Sequence, residues 1–291
     1  MPLKDILVHV DNSKNSSTRL KVATALAKQH EAFLTGIYVG SPPDSVRVAQ
    51  ERVNFMVPDL TGESLRNFQR QSDEVHSKKE RYVKEAAGYA ESAFHEHTEA
   101  AGLSSHWSFH QGALMDTLIH EGRFCDVTIV GQPGPDSNRG FGEVATKHMI
   151  ETVSHPVLVV PTGSTTVGER ILIAWDRSPI AARAIHNARP YLRLAKEVKI
   201  LAINLEPESH DGIPGSGICE HLARHSINAE AVHVESHGMR LSEVLLTKAK
   251  EFNTDLIVMG AYGSRGLRER ILGGVTSHVI ENSPVNLLLS H

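Results

Sequence analysis

Short apolar runs alternate with amphipathic stretches from one end of the chain to the other. Ile6–Val10, Val127–Val130, Val157–Val160, Ile171–Trp175, Leu256–Met259 and Val285–Leu289 are apolar almost without interruption. Runs this short, bounded by Asp, Gly or Pro, predict strands covered on both faces. The first part of the chain reads as strand Ile6–Val10, helix Ser16–His30, strand Ala32–Tyr38, helix Ser72–Ala101, strand His106–Phe109, helix Leu114–Phe124, strand Val127–Val130, helix Val144–Thr152 and strand Val157–Val160. The second reads as strand Ile171–Trp175, helix Ile180–Leu194, strand Val198–Asn204, helix Gly217–His225, strand Ala229–Val234, helix Ser242–Phe252, strand Leu256–Met259, helix Val275–Glu281 and strand Val285–Leu289. Strand and helix in alternation predict parallel sheets with helices on both faces. Right-handed crossovers then give two tandem doubly wound three-layer α/β/α domains, each with a five-stranded parallel sheet of order 3-2-1-4-5.

The two parts also share phrases. ILVHV-D at Ile6 returns as ILIAW-D at Ile171, CDVTIVGQPG at Cys125 as TDLIVMGAYG at Thr254, and HPVLVVP at His155 as SPVNLLLS at Ser283. Three blocks in one order indicate an internal duplication. The boundaries expected are 1–161 and 170–291, joined by the polar linker TGSTTVGE at 162–169. The interval from first to fourth strand is 36 residues longer in the first copy, which places an insertion at about 41–80. Its later portion continues as a charged helix with Tyr82, Ala86, Tyr89, Ala93 and Phe94 on one side. A long helix with a mobile loop before it is the plain reading, and a lid or partner surface the functional one.

The chemistry concentrates in residues 254–284. Gly260 and Gly263 follow the strand Leu256–Met259, and Gly273-Gly274 precede the helical pattern that starts at Val275. Glycines on both sides of a strand-to-helix crossover let backbone N–H groups approach an anion at a helix N-terminus. Plain tight turns use the same residues. Neither a P-loop nor a GxGxxG fingerprint is present. Asp176 ends a strand at the sheet rim, where a carboxylate can accept from an adenine or ribose donor.

Composition narrows the classes. The chain has 291 residues, 40% of them hydrophobic but only 5% aromatic, which supports two aliphatic cores. A net charge of −4 gives no basic footprint for nucleic acid. Two cysteines, Cys125 and Cys219, argue against a disulfide framework. No signal h-region and no membrane-length apolar stretch is seen, so a soluble cytoplasmic protein is expected. Among 18 histidines, His221 and His225 are four apart beside Cys219, a spacing that could share a metal. No further ligands are evident, and a solvated helix face is the simpler account. No nucleophile elbow, paired acid and base, or Walker-type lysine stands out.

Gly260-x2-Gly263-x9-Gly273 resembles the glycine motif G-x2-G-x9-G-(S/T) of the universal stress protein family. Gly274 stands where that family has Ser or Thr, which removes a hydroxyl donor and keeps the amide; Val275-Thr276 then fit again. The resemblance covers both copies and is stronger in 170–291. It implies an adenine nucleotide alpha hydrolase-like fold and an adenine nucleotide ligand. Asp176, Ile203, Met259, Gly260, Tyr262, Gly263, Gly273, Gly274, Val275 and Thr276 match the family's nucleotide-binding positions, and Arg265 could approach the phosphates from the loop. The implied ligand is ATP, with Mg²⁺ as the ion ATP itself carries. In that family the last strand pairs across a dimer; here the two closing strands could pair within one chain, and a homodimer of chains stays open. The first copy keeps Gly131-x2-Gly134 but has a different loop, with Pro133 and Pro135, and Ala145-Thr146 where the second has Gly-Gly. It is expected to bind nucleotide poorly, with Asp11 left as a capping or core-edge carboxylate. The expected role is a nucleotide-dependent stress regulator; the alternatives are a slow ATP hydrolase and a ligand-free interaction scaffold.

Overall fold

A computed structural model describes residues 2–40, 63–133, 143–207, 212–262 and 274–291, with backbone only at 63–69, 71–72 and 143–145. The strands are β1 (Asp5–His9), β2 (Phe33–Gly40), β3 (Ser105–Gln111), β4 (Val127–Gly131), β5 (Val157–Val160), β6 (Arg170–Trp175), β7 (Glu197–Ile203), β8 (Glu230–Val234), β9 (Leu256–Gly260) and β10 (Asn286–Ser290). The described helices are α1 (Ser16–His30), α2 (Glu63–Ala101), α3 (Leu114–Gly122), α4 (Glu143–Thr152), α5 (Pro179–Leu192), α6 (Ser216–Ala223), α7 (Leu241–Glu251) and α8 (Val275–Asn282).

All ten strands join one sheet, ordered β3-β2-β1-β4-β5-β10-β9-β6-β7-β8. Counted from β1 or from β6, each half has the order 3-2-1-4-5 and only parallel pairs. The halves meet at one antiparallel seam, where Val157, Leu158 and Val159 face Leu289, Leu288 and Leu287. A closing strand that would leave bare N–H and C=O groups at a sheet edge is thereby paired.

One small device occurs in both halves. Asp126, just before β4, accepts from the N–H groups of Lys4 and Asp5, and Asp255, just before β9, accepts from those of Glu169 and Arg170. Each carboxylate ties the start of the half's first strand to the start of its fourth. These aspartates are the ones shared by the repeated phrases CDVTIVG and TDLIVMG.

Residues on the two faces of the strands form two aliphatic cores, and each core draws on both halves. Alternate positions explain the split: Ile6 and Val8 go to one core and Leu7 to the other, as Ile171 and Ile173 do against Leu172. The long helix α2 differs from its expected orientation. Val83, Ala86, Ala87, Ala90 and Phe94 are buried, whereas Tyr82 is 46% and Tyr89 75% exposed. The inward stripe follows the small residues, which let α2 lie close on β2; the tyrosines, one helical step round, flank it. The segment 41–62, to which a lid or mobile loop was assigned, lies outside the described residues. No described helix is long and apolar enough to cross a membrane.

Candidate functional site

The rim at the carboxyl ends of β6, β7 and β9 encloses a cavity of about 420 Å³, a size suited to a small ligand. Each wall has a local cause. After β6 the chain turns sharply: Arg177 is left-handed, with φ 62. The Asp176 Oδ1 atom accepts from the N–H of Ser178 at 2.9 Å. Ser178 then caps α5, its hydroxyl accepting from the Ala181 N–H at 3.1 Å, and Pro179 fills the first turn. This turn sets Asp176, exposed, at the mouth of the cavity.

Ile203 and Met259 line the interior from the ends of β7 and β9, and Gly260 and Tyr262 continue the wall. Gly260 is there for want of space. A methyl on it would come 2.7 Å from Cγ2 of Ile180 and 2.9 Å from the backbone nitrogen of Ala181. Val275 and Thr276, in the first turn of α8, close the other side. Gly274 is the N-cap of that helix and offers no side-chain cap. The first N–H groups of any α-helix have no partner inside it and suit an anion from outside.

Asp176, Ile203, Met259, Gly260, Tyr262, Val275 and Thr276 are thus gathered around one cavity, with Gly274 at its edge. Gly263, Arg265 and Gly273 lie outside the described residues. Fit to a nucleotide rests on one further observation. The interior of the lining is mostly apolar, with Ala174, Leu201, Leu241 and Leu245 beside Ile203, as a planar base requires.

The matching rim of the N-terminal half is built differently. By the repeat that aligns Asp11 with Asp176, the place of Ala184 in α5 is taken in α1 by Arg19. Arg19 is buried, and its Nη2 donates to Asp11 Oδ1 at 2.5 Å. Its Nη1 lies where a methyl on Gly131, the counterpart of Gly260, would stand, 2.8 Å away. Burial alone would raise the Asp11 carboxyl, but the Arg19 guanidinium, His9 and Ser13 outweigh it and hold it at about 2. Burial, and then Arg19, push His9 down to about 4. Asp11 keeps the expected capping contact, accepting from the Ser13 N–H at 3.0 Å, and is in addition half of a buried ion pair. Its counterpart Asp176 is exposed and, among the described residues, accepts one hydrogen bond, at one oxygen, from its own turn. The sequence did hold the signal, an arginine where the repeat has alanine. A wide groove of about 760 Å³ between α1 and α2 does reach Asp11, but that carboxylate is already occupied by Arg19.

The histidine cluster separates from its cysteine. The His221 and His225 rings stack edge to face at 4.9 Å, with His186 at 5.7 Å from His221, while Cys219 packs toward the core. Among the described residues no group of three or more His, Cys, Asp or Glu side chains is placed to hold a metal ion.

Residues 168–291 match the model of the Universal stress protein family. A universal stress protein of Synechocystis sp. is 23% identical over 195 residues, covering 65% of this chain and 67% of that protein. Among solved structures, a universal stress protein from Archaeoglobus fulgidus superposes with a TM-score of 0.65 at 20% identity, over 98% of this chain and 97% of that one. A putative universal stress protein from Pseudomonas aeruginosa gives 0.61 at 15% identity, over 99% and 93%. At such identities the structural likeness speaks for the fold, and it spans both halves. The half that carries the cavity, residues 168–291, thus matches the universal stress protein family, and the likeness in fold extends over both halves.

Proposed function

We propose that the C-terminal half binds an adenine nucleotide, ATP or another adenylate, and that the protein acts in a stress response as a nucleotide-dependent regulator. The observation that carries this reading is the cavity at the rim of β6, β7 and β9, bordered by Gly260, on which α5 packs closely, and by the first turn of α8, whose N-cap Gly274 has no side chain. In this reading the base lies among Ile203, Met259 and Leu201, with the Ile203 backbone along its edge. Asp176 keeps one carboxylate oxygen for a ribose or adenine donor. The phosphates run toward Gly274, Val275 and Thr276, and the resemblance assigns Gly263, Arg265 and Gly273 to the same end. Mg²⁺ arrives with ATP and neutralises part of its charge. Helix N-terminal amides supply further stabilisation.

A slow hydrolase is the second reading, favoured by a single feature: an exposed carboxylate that could orient a water. Mass spectrometry of small molecules released on denaturation, with calorimetric titration of ATP, tests binding. An adenylate is expected from the wild-type chain and its loss from Gly263→Val. Recovery of no nucleotide together with no heat of binding would refute the proposal. Steady phosphate release that disappears in Asp176→Ala would move the chain to the hydrolase class.

A further inference from the structure

We propose that Lys147, on a helix of the N-terminal half, is a ligand-binding residue of the cavity in the C-terminal half and meets the phosphates of its nucleotide. This deepens, and rests on, the nucleotide reading above. The described wall of the cavity includes one charged side chain, Asp176, which is an anion. A polyphosphate ligand calls for a cation nearby. Lys147 brings one across the seam: its Nζ lies 5.1 Å from the centroid of the Tyr262 ring, and Tyr262 is part of the cavity wall.

The ammonium is held loosely where it stands. Its carboxylate neighbour, Glu151, sits one turn along α4 at 3.9 Å, and the two side chains are 37% and 35% exposed. Partly exposed pairs at this distance contribute little. The four-carbon stem lets the charge move.

The same interface also grips α8. The Gln132 side-chain amide donates to the carbonyls of Ile280, Glu281 and Ser283 at 2.8, 3.2 and 3.0 Å. The N-terminal half therefore fastens the far end of the helix whose first turn faces the cavity.

Calorimetric titration of the full chain with ATP, ADP and adenosine tests this on wild type, Lys147→Ala and Lys147→Arg. The expected result is a loss of about five- to tenfold in ATP affinity for Lys147→Ala, little change for adenosine, and recovery in Lys147→Arg. Thermal unfolding of each variant confirms that it is folded. Unchanged ATP affinity in Lys147→Ala would overturn the inference while leaving the nucleotide reading intact. Equal losses for ATP and adenosine would mark Lys147 as structural and also overturn it. If wild type binds none of the three ligands, the nucleotide reading fails, and the inference falls with it.

Discussion

Arg19 shows how one side chain sets the two halves apart. Its buried guanidinium stands at the repeat position of Ala184 and pairs with Asp11, the counterpart of the exposed Asp176. Removing one partner of a buried pair leaves a stranded charge, so Arg19→Ala should cost about 3 kcal/mol or more. Denaturant titration should also show part of that loss recovered in Arg19→Ala combined with Asp11→Ala. Acid should act through residues of the same kind. His9 and His155 are both pushed from 6.5 to about 4 in the fold, mainly by burial. The unfolded chain takes up protons below 6.5 that the folded chain refuses, so stability falls between 6.5 and 4 by up to about 3 kcal/mol per histidine. Asp11 runs lower: its contribution is complete above its ordinary value of 3.8 and is lost toward 2. Urea unfolding at pH 7 and pH 5 should show the drop, and His9→Gln should shrink it. A flat profile in the wild type would contradict the assignment.

At the scale of elements, strands and helices were legible because buried parallel strands have to be apolar throughout. The rim of β6, β7 and β9 was legible too, because glycine pairs and a strand-ending Asp mark it in sequence. Side chains that fold inward across elements were not. Local pattern cannot say that Arg19 turns to Gly131, or that Lys147 reaches Tyr262 from the other half. The orientation of α2 was missed for a related reason: its inward stripe is set by alanines that carry a weak hydrophobic signal. Packing between α5 and β9 gives a prediction at this level. Gly260→Ala would drive a methyl into Ile180 and the backbone of Ala181, so α5 must shift. A cost of about 1–3 kcal/mol is expected, together with weaker adenylate binding, since α5 follows the turn that holds Asp176. Melting temperature and titration on the same sample would check both.

For the molecule as a whole, the continuous sheet and the two shared cores predict one cooperative unit rather than two independent ones. The chain has two tryptophans, Trp107 in β3 and Trp175 in β6. Single-tryptophan variants, Trp107→Phe and Trp175→Phe, should report through the remaining indole the midpoint that circular dichroism gives for the same variant. A fragment of residues 168–291 would expose the β10 edge, so it should associate in sedimentation experiments. Separate transitions from the two indoles, or a monomeric fragment, would show the seam to be weaker than its pairing suggests.

The antiparallel join of β5 to β10 has an evolutionary corollary. When identical subunits meet about a two-fold axis, any substitution appears on both sides at once. An arginine that blocks one pocket would block its twin, and a lysine lent to a neighbour would be lent in both directions. Tethering the pair in a single polypeptide breaks that symmetry. One member can give up its own ligand and specialise as an accessory to the other, with the ratio between them fixed by translation.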